Sequence, residues 1–343
     1  MNYRSVADLN SDIKQWIPKL PNDLDLIVGI PRSGLLVANL LGLYLNLPVT
    51  DVEGLCEGRI FQAGPRLDSA EIPDLSTGHK VLVVDDSICS GTEMKQVRSR
   101  LENAELPHQI YYAAVYVSPQ GHRYVDFWYE IVDLPRVFEW NVMHHAILTN
   151  SCVDIDGVLC RDPTKRENDD GENYRRFLTN VKPLIVRTKT IGWLVTCRLE
   201  KYRKLTEEWL RKHNITYEYL IMMDLPDKKT RVALGSHGSF KAQAYKSIDA
   251  KLFIESSCRQ AQEIVRLAGK PVLCTEMGQM IKPSYLTESH NRGRKFISEV
   301  IDNPFRVFLK LARFLKARFR IIELKVMARI RKKKIKEKIN EIK

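Results

Sequence analysis

The 343-residue chain reads as an α/β protein of two domains followed by a basic amphipathic helix. Three observations carry that reading. Short apolar β-forming runs alternate with helical patterns, the spacing of βαβ units. Two of those runs end on closely spaced carboxylates, Asp85-Asp86 and Asp154-Ile155-Asp156. The third is charge: Asn303–Lys343 holds 15 Lys/Arg and three Asp/Glu, which accounts for the whole net charge of +12. The other residues carry 39 of each sign, so an acidic partner is an expectation about the tail alone.

Ser5–Leu20 has the spacing of a short amphipathic helix, closed by Pro18 and Pro21. Asp25–Ile30 is an apolar strand. It runs into Gly29-Ile30-Pro31-Arg32-Ser33-Gly34-Leu35 and then an apolar helix through Leu45. A strand that opens into Arg-Ser-Gly before a helix joins free backbone N–H groups to one fork-shaped cation, which makes an anion site. Val52–Ser76 has few apolar residues and several Gly, Pro and Asp, the composition of a lid or of an ordinary solvated loop.

Val81–Val84 are four apolar β-formers ending on Asp85 and Asp86. A small hydroxyl-rich loop follows, and Met94–Leu101 continues as a helix. Strand, turn and helix N-terminus present N–H groups and a positive dipole end to a phosphate. The loop has Gly91 but no Lys, and lacks the Gly-x4-Gly-Lys spacing of a nucleotide-triphosphate loop. Two adjacent carboxylates suit the vicinal hydroxyls of a ribose, while the loop suits a phosphate on the same sugar. This stretch resembles the phosphoribosyl pyrophosphate (PRPP) signature of type I phosphoribosyltransferases. The resemblance implies that Asp85 and Asp86 bind the ribose 2- and 3-hydroxyls, and that Ser87, Cys89, Ser90, Gly91 and Thr92 belong to the 5-phosphate loop. It implies a pyrophosphate loop at Arg32, Ser33 and Gly34, and a mobile catalytic loop whose anion-contacting cations are Arg59 and Arg66. Cys89 stands where many family members place Thr or Asp, and Glu93 puts a negative charge beside the phosphate. Ile110–Val117 is a further strand. The aromatic-rich Val125–Trp140 reads either as core or as a hood facing the acceptor.

A new strand near Leu148 ends in Asp154-Ile155-Asp156-Gly157-Val158-Leu159. Asp154 can attack phosphorus, and Asp156 can protonate the leaving alcohol and later deprotonate water. A divalent cation must bridge nucleophile and phosphate, since two anions do not otherwise approach. The stretch resembles motif I of haloacid-dehalogenase (HAD)-type phosphatases, and the rest of that pattern follows in order. Thr196, after the strand Ile191–Val195, matches the phosphate-binding hydroxyl. Lys241 matches the phosphoryl-neutralising cation. Glu255, after the strand Lys251–Ile254, matches the acidic metal-binding motif, with Ser256 where many relatives have a second carboxylate. The resemblance implies Mg2+ held by Asp154, Asp156 and Glu255. Glu200–His213 has helical spacing, and the polar Arg161–Lys189 is expected to hold a small cap.

Seven scattered cysteines without a Cys-x-x-Cys pair are expected to be reduced thiols of a cytosolic enzyme. Met1–Leu20 is too polar for a secretory signal, and no run of eighteen apolar residues suggests a spanning helix. In the tail, Phe308, Leu311, Leu315, Phe319 and Ile322 recur at steps of three and four, with a cationic block at Arg331–Lys334. That pattern fits a helix docked on the core or one lying on anionic lipid. No aromatic or Gly interleaving supports nucleic acid.

The expected division is a phosphoribosyltransferase domain at 1–147, a HAD-type phosphatase domain at 148–290 and the basic helix at 291–343, the first two Rossmann-like. A transferase that leaves a 5-phosphate and a phosphatase that removes one read as consecutive steps. With the tail, the two halves resemble the bifunctional ribofuranosyltransferase–phosphatases of bacterial polysaccharide assembly. That resemblance implies transfer of ribose 5-phosphate from PRPP to a hydroxyl of a lipid-linked glycan, with release of pyrophosphate. Trimming to a β-ribofuranosyl residue would follow, at the inner face of the cytoplasmic membrane. Two alternatives stay open: a soluble nucleobase transferase fused to a nucleotidase, and a PRPP-sensing regulator whose tail binds nucleic acid.

Overall fold

The computed structural model describes residues 1–61, 72–184, 188–235 and 237–283, so Arg66 and the basic tail lie outside the described residues. The chain divides into the units Met1–Ile281 and Lys282–Lys343. The first half contains β1 (Asn2–Arg4), α1 (Val6–Trp16), β2 (Leu26–Gly29), α2 (Gly34–Leu45), β3 (Val49–Asp51), α3 (Val52–Cys56), β4 (Lys80–Ile88), α4 (Thr92–Asn103), β5 (Gln109–Val117), β6 (Phe127–Ile131) and β7 (Arg136–Phe138).

Ser5 starts α1 because its hydroxyl accepts the Asp8 N–H (3.0 Å) while the Asp8 carboxylate accepts the Ser5 N–H (2.8 Å). The helix then lays Leu9, Ile13 and Trp16 against Leu82, Val84 and Ala113 of the sheet. Each fully buried side chain of that size contributes about 1.5–3 kcal/mol. The sheet is all parallel, in the order β3-β2-β4-β5-β6. Helices cover both faces, so Leu26–Val28 and Val81–Val84 are buried without alternation. β1 and β7 pair with each other, in parallel, apart from that sheet.

β4 is longer than the sequence pattern suggests. It continues to Ile88 because Asp85, Ser87 and Ile88 pair with Ala114, Tyr116 and Val117 of β5. The acid pair therefore lies within the strand. α4 begins at Thr92, behind Gly91 at φ +76°, where a Cβ would also stand 2.0 Å from the Tyr124 ring.

The second half contains β8 (Ser151–Val153), α5 (Glu172–Asn180), β9 (Ile191–Leu199), α6 (Arg203–Lys212), β10 (Tyr217–Met223), α7 (Lys228–Leu234), α8 (His237–Ser247), β11 (Leu252–Glu255), α9 (Cys258–Ala268), β12 (Val272–Cys274) and β13 (Gln279–Ile281). These strands form one sheet in the order β10-β9-β8-β11-β12-β13, parallel except for β13. Here too the strands outrun the sequence pattern. Leu199 pairs with Met223 and Glu255 with Cys274, which carries Thr196 and Glu255 into the sheet. α5, in the segment expected to cap the site, buries Tyr174, Phe177 and Leu178 in the main core of this half. Val137 of β7, with Val142 and Met143, joins the same core, so the small β1–β7 pair packs onto the second half.

The expectation of reduced thiols is corrected at one pair: Cys258 and Cys274 form a disulfide. The cause is register. Cys274 lies opposite Glu255, and Cys258 begins α9 only three residues further on. Cys56, Cys89, Cys152, Cys160 and Cys197 are free thiols. Among the described residues no helix is long and apolar enough to cross a membrane.

Candidate active sites

In the first sheet the strand order reverses between β2 and β4, the place where open α/β sheets bind ligands beyond their carboxyl ends. β2 leads to Arg32-Ser33-Gly34, and β4 carries Asp85-Asp86. The two stretches meet. The Ser33 hydroxyl donates to Asp86 Oδ1 at 2.7 Å. Gly34 packs so closely that a Cβ there would stand 2.7 Å from the Val84 carbonyl and 3.1 Å from Asp85 Cα. Glycine is required because the helix N-terminus lies directly on the acid-bearing strand.

Both carboxylates are buried, and the Asp86 N–H donates to Asp85 Oδ1 at 2.8 Å. Burial, then the Asp86 and Glu93 charges, raise the Asp85 carboxyl well above the usual carboxylate range. An uncompensated acid pair at a switch point is poised for donors from outside, such as sugar hydroxyls. In the loop beyond, the Ser90 and Thr92 hydroxyls lie 3.0 Å apart, and the Cys89 carbonyl accepts from Ser118 at 2.7 Å. Cys89, Ser90 and Thr92 are exposed at the start of α4, and Ser87 is half-buried. Arg32 is exposed at the end of the first loop. Arg59 instead turns to Asp51 (3.7 Å) and Glu57 (3.3 Å), so the structure does not bring it to the acid pair.

The hood segment contributes one residue that sequence reasoning named only as part of an aromatic cluster. Trp140 Nε1 donates to Asp86 Oδ2 at 2.8 Å, and its ring stacks on Phe138 at 4.9 Å. Phe138 in turn stacks on Tyr116 at 5.4 Å. Trp140, half-buried, is thus an aromatic wall beside the acid pair. Tyr129 is turned away and donates to Gln15.

The second sheet repeats the logic. Its order reverses between β8 and β11, and Asp154 and Glu255 stand at those strand ends. Lys241 of α8 joins them, with Nζ 2.6 Å from Asp154 Oδ2, 2.7 Å from Glu255 Oε2 and 2.9 Å from Gln260 Oε1. All three charged groups are buried. Burial pushes the Asp154 carboxyl up, opposed by Lys241 and reinforced by Glu255 and Asp156. Burial also works against the Lys241 ammonium, but the two carboxylates prevail and raise it.

Asp156 is held differently. Arg198, fully buried, donates to both its oxygens, with Nη2 at 2.6 Å from Oδ1. The Thr196 hydroxyl, also buried, accepts the Arg198 N–H at 3.3 Å. Arg198 was visible in sequence only as the neighbour of Thr196-Cys197, with nothing to tie it to Asp156. Gly157, at φ +82°, lets the chain pass Ser256, whose Oγ would lie 2.1 Å from a Cβ. Asp154, Glu255 and nearby Asp162 offer hard oxygen donors, which suit Mg2+ or a similar cation sharing the first two with Lys241, whereas Arg198 holds both oxygens of Asp156.

Residues 3–146 match the phosphoribosyl transferase domain family. Solved structures similar to part of the chain include a xanthine-guanine-hypoxanthine phosphoribosyltransferase from Helicobacter pylori, at 17% identity over 41% of this chain and 93% of that one, TM-score 0.32. A purine phosphoribosyltransferase from Pyrococcus horikoshii is 22% identical over 40% of this chain and 92% of that one, TM-score 0.30. UMP synthase from Leishmania donovani is 15% identical over 39% of this chain and 27% of that one, TM-score 0.26. No curated protein matches. The family match makes residues 3–146 a phosphoribosyltransferase domain. More narrowly, residues 3–146 are of type I.

Proposed function

We propose that the chain transfers ribose 5-phosphate from PRPP to a hydroxyl of a glycan acceptor and then removes the 5-phosphate, leaving a β-ribofuranosyl residue in a bacterial polysaccharide. The observation that carries this reading is the second switch-point site. Asp154, Lys241 and Glu255 come from positions up to 101 residues apart and converge within hydrogen-bond distance, in the arrangement a HAD-type phosphatase needs. A transferase domain makes a phosphate ester, and this site has the groups to cleave one.

In the first step Asp85 and Asp86 hold the ribose hydroxyls, and charge at the anomeric carbon develops as pyrophosphate departs past Arg32, Ser33 and Gly34. Fixed carboxylates beside a ribosyl cation stabilise the transition state more than the ground state. Attack opposite the leaving group converts the α-configured donor to a β-ribofuranoside. In the second step Asp154 attacks phosphorus, with Lys241 and Thr196 facing the phosphoryl oxygens. Asp156, oriented by Arg198, handles the proton of the leaving alcohol and then of water. Mg2+ held by Asp154 and Glu255 would neutralise the phosphoryl charge.

A second reading, a nucleobase transferase fused to a nucleotidase, draws on one observation: the Trp140 ring beside the acid pair is a surface on which a planar base stacks as well as a sugar. Incubation of the protein with PRPP, Mg2+ and a panel of glycan acceptors and nucleobases, read by mass, separates the two. Pentose on a glycan is expected; pentose phosphate on free purines or pyrimidines alone would transfer the protein to the second reading.

The basic tail fits attachment to anionic lipid, each cation near such a surface adding about 1 kcal/mol. Removing Asn303–Lys343 is expected to lower recovery with anionic vesicles in flotation while turnover on a soluble acceptor persists. Equal recovery of the two proteins removes the lipid role.

A further inference from the structure

Arg136 opens β7 and is only 7% exposed, yet its Nη1 has no hydrogen-bond partner. A buried donor left open costs about 1–3 kcal/mol, so such groups mark places where a ligand completes the bonding. Its surroundings say which ligand. The Arg136 guanidinium lies 5.5 Å from the centre of the Phe138 ring, Phe138 stacks on Trp140, and Trp140 is bonded to Asp86. The three side chains form a continuous line from the buried cation to the acid pair. The carboxylates that face Arg136 are Asp86 and Asp85, and neither is hydrogen-bonded to it.

On the reading above, the donor is already provided for. Its pyrophosphate belongs to Arg32–Gly34, its hydroxyls to the acid pair and its 5-phosphate to the loop before α4. The side left for the acceptor is the one along Trp140, which is bonded to Asp86. A neutral acceptor would leave the guanidinium unpaired. An anionic one would meet two carboxylates, and Arg136 is the buried cation that offsets them. We propose that Arg136 determines acceptor specificity, and that the acceptor carries a carboxylate close to the hydroxyl that attacks the ribose, as in an acidic sugar. A planar carboxylate matches the fork-shaped donor better than a single hydroxyl does. The proposal rests on residues 3–146 binding PRPP.

Two matched probes test it: 1-O-methyl β-ribofuranoside 5-phosphate and its 1-O-carboxymethyl counterpart, each competing with PRPP. The measurement uses the full-length Asp154→Asn protein, so that the probes keep their phosphate. The carboxymethyl probe is expected to bind about tenfold tighter or more. Arg136→Met should erase that preference and leave PRPP affinity unchanged, while Arg136→Lys should keep part of it. Equal binding of the two probes to the parent protein overturns the proposal whatever the variants do. Parallel loss of PRPP affinity in a folded Arg136→Met protein overturns it too, by making Arg136 a donor-side residue. A parent protein that binds no PRPP at all refutes the transferase reading itself, and the proposal with it.

Discussion

Asp154→Asn is expected to stop phosphate release, by about a thousandfold or more, while PRPP consumption continues. Transfer products should then accumulate heavier by one phosphoryl group. Asparagine is the informative replacement because of how Lys241 is held. Its ammonium bridges Asp154 and Glu255 out of contact with water. Alanine would open a cavity beside the cation and remove one of its two anionic partners, and breaking a buried ion pair from one side typically costs about 3–5 kcal/mol. Asparagine keeps the shape and an oxygen for Lys241, and Glu255 still balances the charge. What is lost is the nucleophilic oxygen pair. Mass spectrometry of the product and a phosphate assay read both halves at once. A product without the extra phosphoryl group would break the proposed order of steps, because the ester would then have been cleaved elsewhere or never formed.

Both sites carry chemistry that is local in sequence, beside an apolar strand, and that is why they were legible. Val81–Asp86 and Cys152–Asp156 announce a buried strand followed by carboxylates within a few residues, and the fold puts both at reversals of strand order. Even there the boundaries shifted. Whether Asp85 ends a strand or lies inside it depends on Ala114 and Tyr116 being alongside, a fact about β5 and not about the acid pair. The Cys258–Cys274 disulfide had no spacing signal, since it depends on β11 and β12 lying side by side in register.

The residues that sequence reasoning missed share a cause. Trp140 reaches Asp86 across 54 positions and Arg198 reaches Asp156 across 42. Each contact exists only after two separate elements pack, so no local pattern records it. Arg136 is the extreme case: in the sequence it is one arginine among many, and only the loss of water around it makes it notable. Arg59 is a different case. Its charge and loop position made it an anion-binding candidate, but acidic neighbours two and eight residues away hold it instead.

Asp85→Asn is expected to separate activity from stability. The substitution keeps the volume, and it keeps an oxygen for the Asp86 N–H at 2.8 Å. It removes one of the two charges beside the developing ribosyl cation, so transfer from PRPP should fall by about a hundredfold or more. Phosphate release from an added ribose 5-phosphate ester should be unchanged, because Asp154 and its partners lie on the other sheet. Stability should move the opposite way. Burial and Asp86 raise the Asp85 carboxyl above its unfolded value, so its contribution is fully present below about pH 4, where the unfolded group is also protonated. That contribution is lost as pH rises through the folded value, so the raised carboxyl lowers stability toward neutral pH. Asparagine cannot ionise. The variant should therefore melt at a higher temperature than the parent near pH 7, with the difference shrinking as the pH is lowered toward 4. Thermal melts at several pH values, beside PRPP turnover, test both statements. A variant that transfers normally would show that the ribose hydroxyls are held elsewhere. One that melts lower at neutral pH would show that the Asp85 charge supports the fold, and the acid pair would lose its standing as a strained, substrate-ready site.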